Sequence, residues 1–253
     1  MPLKLPSGIG VQMQSPSSIA KHMTMLLYGK AKSGKTTLAA SAAAVEEMSP
    51  VAVVDFEGST EAVAGLYDVD VYRCTNWAES SAVLDAMINQ HSEHGYKTVV
   101  LDPLNALQTQ LKDEIIRRQE STQPAARSNN SMGDRGMLQA DWDVVWMRMR
   151  KIMETFHAAP FHTIWTAHAD TVQDSMTGKM AMEPLFQGTK TKNEATRIPG
   201  IVGYIRMVEH NGETVPGVQF AGGAGVLAGD RYRKLGKGMA NPTMADIYNK
   251  IFS

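Results

Sequence analysis

The stretch MTMLLYGKAKSGKTT, residues 23–37, decides the fold of this chain. Its apolar beginning predicts a buried β-strand that ends at Gly29, and the Ala-rich stretch from about Lys35 to Glu47 predicts a helix. Between them, residues 29–36 match the pattern G-x-x-x-x-G-K-[ST] in the strand–loop–helix setting that the pattern needs. Glycine near both ends lets the backbone close around an anion with several N–H groups pointing inward. The sequence therefore predicts a loop that binds the phosphates of a nucleoside triphosphate.

The positions of this loop have expected contacts with the nucleotide. Lys35 is expected to reach the β and γ phosphates, Thr36 to ligate Mg²⁺ through its hydroxyl, and Thr37 to hydrogen-bond the α phosphate. The pattern predicts a triphosphate with magnesium but does not specify the base. The full predicted nucleotide-binding set is Gly29, Lys30, Ala31, Lys32, Ser33, Gly34, Lys35, Thr36 and Thr37.

The rest of the sequence alternates short β-branched runs with helical patterns, which is typical of a parallel α/β sheet. Asn211-Gly212, between two further apolar runs, predicts the turn of a β-hairpin. The fold class is therefore α/β, with a mostly parallel central sheet flanked by helices and a C-terminal β-hairpin. The predicted strands are 22–29, 51–56, 69–74, 97–102, 161–168, 201–209 and 215–222, and the predicted helices are 35–47, 77–94, 103–119, about 142–156 and 244–252.

A phosphate-binding loop of this kind needs a second metal ligand, an acid at the end of a buried strand. Asp102 ends the apolar run KTVVLD and fits that role, while Asp55, which ends VAVVD, is the competing candidate. Two predicted strands separate the loop from Asp102, which favours the additional-strand class of these proteins, in which a carboxylate polarises water. Glu57 follows the strand that ends at Asp55 and is the candidate general base. The alternative is that Glu57 is a loop acid that caps a helix starting near residues 59–60.

The order of these features resembles the RecA/Rad recombinase ATPase core and, more specifically, the compact phage-encoded Sak-type single-strand annealing ATPases. The resemblance covers about residues 22–209 and is carried by the phosphate loop, VAVVDFEGS, VVLDPLNAL, a polar loop before an amphipathic helix, TIWTAH and a second long loop. It implies a RecA-like P-loop NTPase core that binds ATP with Mg²⁺. We expect this core to be a single domain over residues 23–253, after a leader over residues 1–22.

The resemblance also implies roles for individual residues. Lys35 and Thr36 would contact phosphate and metal, Asp102 would contact the metal, and Glu57 would act as the base. His168 takes the place of a polar sensor at the end of the fifth strand, where recombinases often carry glutamine. The alternative for His168 is a hydrogen-bonded histidine at a strand end, with no part in catalysis.

Two long polar segments, residues 121–136 and 169–190, correspond by position to the loops that line the path of single-stranded DNA in recombinase-like folds. The resemblance implies that basic side chains in these segments neutralise DNA backbone phosphates, so that affinity falls with salt. The predicted DNA-binding residues are Arg127, Arg135 and Lys179.

Lys190 and Lys192 precede the predicted hairpin strand, as the finger residues of this family tend to do. We expect them to be catalytic by reaching the γ phosphate held by a neighbouring subunit. The alternatives are a basic stripe along a DNA backbone and an ordinary solvated surface. Fingers that act between subunits imply a homo-oligomer, a ring or a filament.

Composition excludes other classes of protein. The chain has 253 residues and a formal net charge of −1 at pH 7, so nucleic-acid contact must come from a local basic surface. Cys74 is the single cysteine, which excludes a disulfide-stapled secreted scaffold. No apolar run approaches the roughly 20 residues that a membrane span requires. We therefore expect a cytoplasmic protein, in the host cytoplasm if phage-encoded, with no membrane contact.

The expected function is that of a Mg²⁺-dependent, DNA-stimulated ATPase. It would act on single-stranded DNA in recombination, by annealing or by assisting strand exchange, together with a recombination partner protein. The alternative is a nucleotide-switched module that binds DNA or protein with negligible hydrolysis.

Overall fold

A sheet of mostly parallel strands organises the chain, and the computed structural model describes residues 22–122, 137–173, 178, 180–223 and 225–253. The strands are β1 (Thr24–Gly29), β2 (Val51–Asp55), β3 (Asp70–Arg73), β4 (Thr98–Asp102), β5 (His162–Gln173), β6 (Met180–Pro184), β7 (Ile201–His210), β8 (Glu213–Gln219), β9 (Gly229–Asp230) and β10 (Gly238–Ala240). Their order across the sheet is β10-β8-β7-β1-β5-β4-β2-β3, with β6 beside β5 and β9 beside β7. The predicted α/β class is confirmed.

Helices pack on both faces of this sheet. They are α1 (Lys35–Ala40), α2 (Trp77–Asn89), α3 (His91–His94), α4 (Leu104–Thr122), α5 (Gln139–His157), α6 (Thr189–Arg197) and α7 (Met244–Phe252). One buried core joins the sheet to α2, α4 and α5, and a second joins it to α1 and α7. Successive residues of β1 alternate between the cores, with Leu26 in the first and Leu27 in the second. The central strands are therefore apolar throughout, as sheets covered on both faces must be.

The sheet order gathers the predicted site residues at one edge. β5 lies between β1 and β4, so the phosphate-loop strand and the Asp102 strand are not neighbours, as the additional-strand class predicts. Gly29 at the end of β1 lies opposite His168 in β5, and Asp55 at the end of β2 lies opposite Asp102 at the end of β4. The carboxyl ends of four neighbouring parallel strands thus form one continuous functional edge.

The predicted C-terminal hairpin is confirmed. β7 and β8 pair antiparallel, and His210 lies opposite Glu213 across the two-residue turn. Asn211 has a φ of 53° and Gly212 a φ of 83°, which is the backbone that a tight hairpin of this kind requires. β7 also pairs in parallel with β1, so the hairpin continues the main sheet.

The prediction of one polar loop over residues 169–190 is wrong. β5 continues past His168 and pairs antiparallel with β6, and α6 begins at Thr189. The β-branched side chains of Thr171 and Val172 favour a strand, and the pairing satisfies backbone groups that a loop leaves to water.

The first helix is shorter than the predicted range of 35–47. It is α-helical only to Ala40 and tightens into a 3-10 turn over Ser41–Ala44. The Ser41 hydroxyl donates to the Leu38 carbonyl oxygen at 2.7 Å, a local bond that competes with regular helix geometry. The predicted leader over residues 1–22 lies outside the described residues except for His22. Within the described part of the chain, no helix combines the length and apolar character that crossing a bilayer requires.

Candidate active site

The loop that joins β1 to α1 depends on two glycines. A Cβ on Gly29 would lie 2.5 Å from the carbonyl oxygen of Ile205 and 2.6 Å from Ser33 Oγ, so no side chain fits there. Gly34 has a φ of 92°, in the left-handed region that favours glycine. The first glycine is required by close packing and the second by backbone conformation.

Lys35 begins α1 with its ammonium held over the loop backbone. Its side chain is buried, and Nζ donates to the carbonyl oxygens of Gly29 at 3.1 Å and Lys30 at 2.9 Å. Burial lowers the pKa of Lys35, while the carboxylates of Asp102 and Glu57 act to raise it. The cation therefore lies among the acids that line the same cleft.

Asp102 lies at the end of β4 and is 1% exposed. Its Oδ2 accepts hydrogen bonds from Thr36 Oγ1 at 2.7 Å and Ser59 Oγ at 3.5 Å, and its Oδ1 accepts one from Thr166 Oγ1. Burial raises the pKa of Asp102, and the hydroxyl bonds from Thr166 and Thr36 act against that rise. The two predicted metal ligands, Thr36 and Asp102, are therefore in direct contact.

A cleft of about 440 Å³ joins these groups, and its chemistry fits a triphosphate with magnesium. Hydroxyl and carboxylate oxygens are the donors that Mg²⁺ takes, usually from one or two protein side chains together with substrate phosphates. The buried Oγ of Ser33, also in the lining, has no hydrogen-bond partner among the described residues. Thr36 and Asp102 would hold the ion. The lining consists of Ala31, Lys32, Ser33, Gly34, Lys35, Thr36, Thr37, Glu57, Ser59, Ala62, Asp102, Pro103 and His168.

Asp55, the competing metal ligand, orders the loop that follows it. The Asp55 side chain is fully buried. Its Oδ1 accepts hydrogen bonds from the backbone N–H groups of Glu57 at 3.0 Å and Gly58 at 2.7 Å, and its Oδ2 accepts one from Thr60 Oγ1 at 2.7 Å. Burial acts to raise the pKa of Asp55, but the bonds from Thr60 and the backbone outweigh it, so the pKa lies below its usual range. The carboxylate is committed to positioning the Glu57 loop, which leaves Asp102 as the metal candidate.

Glu57 and His168 meet in the cleft. His168 Nε2 lies 2.9 Å from Glu57 Oε2, and the two side chains are 26% and 46% exposed. The His168 backbone N–H also donates to Asn105 Oδ1 at 3.0 Å. Glu57 is not a helix cap, because the cap position of the 3-10 turn at Thr60–Val63 is Ser59. The predicted base and the predicted sensor are thus hydrogen-bonded partners.

Lys190 and Lys192 lie on α6, away from the described residues that line this cleft. Lys190 Nζ is 2.7 Å from Asp143 Oδ1 and 4.9 Å from the centre of the Trp146 ring. Lys192 Nζ forms an ion pair with Glu183. Their catalytic role in a neighbouring subunit stays a prediction.

The predicted DNA-binding residues Arg127, Arg135 and Lys179 lie outside the described residues. Their contact with DNA also stays a prediction.

Two polar residues of the site were missed by sequence reasoning. Thr166 bonds to Asp102, and Asn105 bonds to the backbone of His168. The alternation of β5 offered a signal for Thr166, since residues two apart on a strand share a face and Thr166 precedes His168 by two. Asn105 is the second residue of α4, and no local pattern distinguishes it from a solvent-facing residue.

Known proteins place the chain in a family. The model of the AAA_24 family, an AAA domain, matches residues 21–232. The chain belongs to the AAA_24 family. It is therefore a P-loop ATPase and a nucleotide-binding protein, and its predicted place among Sak-type annealing ATPases stays a prediction.

Other comparisons add little to this membership of the AAA_24 family. No curated protein matches the chain. Among solved structures, a KaiC-like protein from the hyperthermophilic archaeon Pyrococcus horikoshii OT3 is similar, with 15% sequence identity and a TM-score of 0.42. That similarity covers 78% of this chain and 77% of the other.

Proposed function

We propose that this AAA_24 protein hydrolyses ATP in a Mg²⁺-dependent reaction with Glu57 as the general base. The observation that supports this most is the presence of Glu57 in the same cleft as Lys35, Thr36 and Asp102. The Glu57 carboxylate takes a proton from a water molecule, whose oxygen bonds to the γ phosphorus while the bond from that phosphorus to the β-phosphate oxygen breaks. ADP and inorganic phosphate leave.

The other residues of the cleft orient and stabilise this reaction. The Lys35 ammonium, held at the loop by two backbone carbonyls, neutralises charge on the β and γ phosphates as the bond between them breaks. Thr36 and Asp102 would hold Mg²⁺, which would supply further neutralisation of phosphate charge. His168 holds the Glu57 carboxylate at 2.9 Å and so fixes its direction.

The proposal extends to single-stranded DNA as the partner that hydrolysis serves, in annealing or in assisting strand exchange. The β5–β6 hairpin supports it, because this hairpin grows out of the strand that carries His168. The Leu185 backbone N–H, just past β6, donates to the His168 carbonyl oxygen at 2.7 Å. Val172 and Met180 on the hairpin are 36% and 56% exposed and would contact bases. A DNA strand bound to this hairpin would shift β5 and, through it, the His168–Glu57 hydrogen bond.

The same proposal includes a homo-oligomer, a ring or a filament, in which Lys190 and Lys192 act across the subunit boundary. It also includes a recombination partner protein. Its support is the exposure of Lys190, whose side chain is 61% exposed even in its pair with Asp143.

A second candidate function is a nucleotide-switched binding module with negligible hydrolysis. The His168–Glu57 hydrogen bond favours it, since it occupies the carboxylate that would otherwise accept a proton. In this case nucleotide would break the bond and move the β5–β6 hairpin without turnover.

Phosphate release from ATP by wild-type protein and by Glu57→Gln separates the two functions. A true base gives a loss of turnover of about 10²–10⁴-fold in Glu57→Gln with nucleotide binding intact. Glu61→Gln, an exposed acid on the neighbouring turn, is the matched control and keeps wild-type turnover. Wild-type protein that binds ATP and releases no phosphate would instead establish the switch.

The DNA partner is tested by the same assay with and without single-stranded DNA across a salt series. Stimulation that fades as salt rises supports DNA contact through phosphates. Turnover indifferent to DNA at all salt concentrations would remove DNA from the proposal and leave the ATPase in place.

A further inference from the structure

The position of His168 depends on contacts beyond the parallel sheet. The pairing of β5 with β4 ends at Trp165, three residues before His168. Both backbone polar groups of His168 are bonded outside that pairing. Its N–H donates to Asn105 Oδ1 at 3.0 Å, and its carbonyl oxygen accepts from the Leu185 N–H at 2.7 Å. The backbone that carries this imidazole is therefore held by other segments at the point where β4 no longer pairs with β5.

Asn105 reaches β5 because α4 begins directly after β4. β4 ends at Asp102 and α4 begins at Leu104, so the first turn of the helix lies at the carboxyl edge of the sheet. β5 is the neighbour of β4 at that edge. Backbone N–H groups that lose a strand partner need another acceptor, and the Asn105 amide oxygen supplies one to β5.

Gln108 holds the second of these contacts in place. It follows Asn105 by three residues, so the two side chains share a face of α4. Gln108 is 1% exposed, its Oε1 accepts from the Gln187 backbone N–H at 2.8 Å, and its Nε2 donates to the Gln187 carbonyl oxygen at 2.7 Å. One amide thus bonds both backbone groups of Gln187. Because Gln187 follows Leu185 by two residues, Gln108 fixes the segment whose N–H bonds to His168.

We infer that Asn105 and Gln108 are positioning residues for His168 and, through it, for Glu57. Asn105 holds the N–H side of the His168 backbone, and Gln108 holds the carbonyl side through residues 185–187. The His168 ring then meets the Glu57 carboxylate at 2.9 Å. Neither Asn105 nor Gln108 is among the described residues that line the cleft, so their effect on turnover passes through His168. The inference rests on the proposed function, in which His168 fixes the direction of the base.

A double-mutant cycle tests whether Asn105 acts through His168. Phosphate release from ATP is measured for wild type, Asn105→Ala, His168→Ala and the double variant. Asn105→Ala is expected to lower kcat about fivefold with KM for ATP unchanged, because one hydrogen bond that orients His168 is lost. In the His168→Ala background the same substitution is expected to change kcat by less than about twofold, since the ring that it positions is already absent. Asp113→Asn, an exposed acid on α4, is the matched control and keeps wild-type turnover.

Two further variants separate positioning from folding. Asn105→Asp retains an acceptor for the His168 N–H, so it is expected to recover most of the kcat that Asn105→Ala loses. Gln108→Met retains the length of the side chain without its hydrogen bonds. It is expected to lower kcat in the wild-type background and to leave kcat unchanged in the His168→Ala background. If Asn105→Ala does not fold, the cycle with Gln108→Met decides by the same comparison.

Amide hydrogen exchange gives a readout that does not require hydrolysis. The His168 N–H is expected to lose protection about tenfold in Asn105→Ala and to regain it in Asn105→Asp, while the N–H of Leu26 in β1 keeps its protection in both.

Equal losses of kcat from Asn105→Ala in the wild-type and His168→Ala backgrounds would overturn the inference. Wild-type kcat in Asn105→Ala, or unchanged protection of the His168 N–H, would overturn it as well. Failure of the proposed hydrolysis has a different signature, since a wild type that releases no phosphate but shows this exchange pattern would refute hydrolysis and support the anchoring of His168.

Discussion

The part of β5 that pairs in parallel with β1 and β4, residues 162–168, begins and ends with histidines in opposite surroundings. At the amino end, His162 is 4% exposed, and its Nδ1 accepts a hydrogen bond from the Met23 backbone N–H at 2.9 Å. Its ring packs edge-on against Tyr248 at a centroid distance of 5.8 Å. At the carboxyl end, His168 opens into the cleft and pairs with the Glu57 carboxylate at 2.9 Å. His162 therefore stabilises the packing at the amino edge of the sheet, whereas His168 lies among the residues proposed to act on nucleotide.

The difference follows from the geometry of a parallel sheet. Strands β1, β2, β4 and β5 run parallel, so loops that leave their carboxyl ends converge on one crevice, where open α/β sheets bind ligands. The amino ends are covered instead by α7 and the residues around His157. His162 at the amino edge and Asp102 and Asp55 at the carboxyl edge are all buried and hydrogen-bonded, but the carboxyl edge opens into the cleft that Glu57 and His168 also line.

The largest effect is expected at the carboxyl edge, from Lys35→Ala. Loss of this ammonium is expected to lower kcat/KM for ATP by about 10²–10³-fold, because a charge that stabilises the developing phosphate charge is gone. Phosphate release measures it, with Lys151→Ala as the control, since the Lys151 side chain is exposed on α5 and outside the described cleft lining. Equal losses in both variants would mean that position 35 has no special role.

The next largest effect is expected at the amino edge and concerns stability. Burial lowers the pKa of His162 to about 4, below the value of about 6.5 in an unfolded chain. The unfolded chain therefore binds the proton first, so the stability from neutral His162 is complete above about pH 6.5 and is lost as pH falls toward about 4, by up to about 3 kcal/mol. Protonation also puts a hydrogen on Nδ1, where Met23 now donates.

Urea unfolding of wild type and His162→Gln across that pH range checks this. The variant lacks the titrating ring and is expected to show a flatter pH dependence with unchanged ATP turnover. An identical pH slope in the two proteins would show that the amino-edge histidine is not the titrating group.

Asp55→Asn tests whether an acid of the carboxyl edge acts by positioning. The amide retains one acceptor oxygen and directs N–H groups at a loop that itself donates, so the free energy of unfolding is expected to fall by about 2 kcal/mol. Turnover is expected to fall as well, because the loop that carries Glu57 loses its anchor. Asp68→Asn, an exposed acid further along the chain, is the control for both measurements. A variant that loses Mg²⁺ dependence but keeps its stability would make Asp55 a metal ligand instead.

The smallest effect is expected from His168→Ala, the counterpart of His162→Gln. Turnover is expected to fall about tenfold, as one hydrogen bond that directs Glu57 is removed. His168→Gln retains a polar side chain and is expected to recover part of that loss. Unfolding by urea is expected to be unchanged in both, and a clear loss of stability would erase the contrast between the two ends of the parallel-paired part of β5.

The sequence predicted most of the fold because its signals were local. The match over residues 29–36 and the apolar strand runs fix the sheet and its helices, and Asn211-Gly212 fixes the hairpin. The sequence assigned Thr36 and Asp102 to the same metal ion, and the structure places the two side chains in contact. They meet because the carboxyl ends of parallel strands share an edge.

The remaining features depend on contacts between distant segments. The polar character of residues 169–190 concealed β6 and α6, whose backbone groups are satisfied by pairing with β5 and by helix formation. The choice between Asp55 and Asp102 required seeing that the first carboxylate is occupied by its own loop. The Glu57–His168 pair joins residues that no local spacing connects.

The structure of the chain with a non-hydrolysable ATP analogue and Mg²⁺ tests the central claim most directly. We expect the β and γ phosphates within the loop at residues 29–36, the ion at Thr36 Oγ1 and beside Asp102, and Glu57 facing the γ phosphate. Phosphates bound elsewhere, or an ion held by Asp55, would contradict this account of the carboxyl edge.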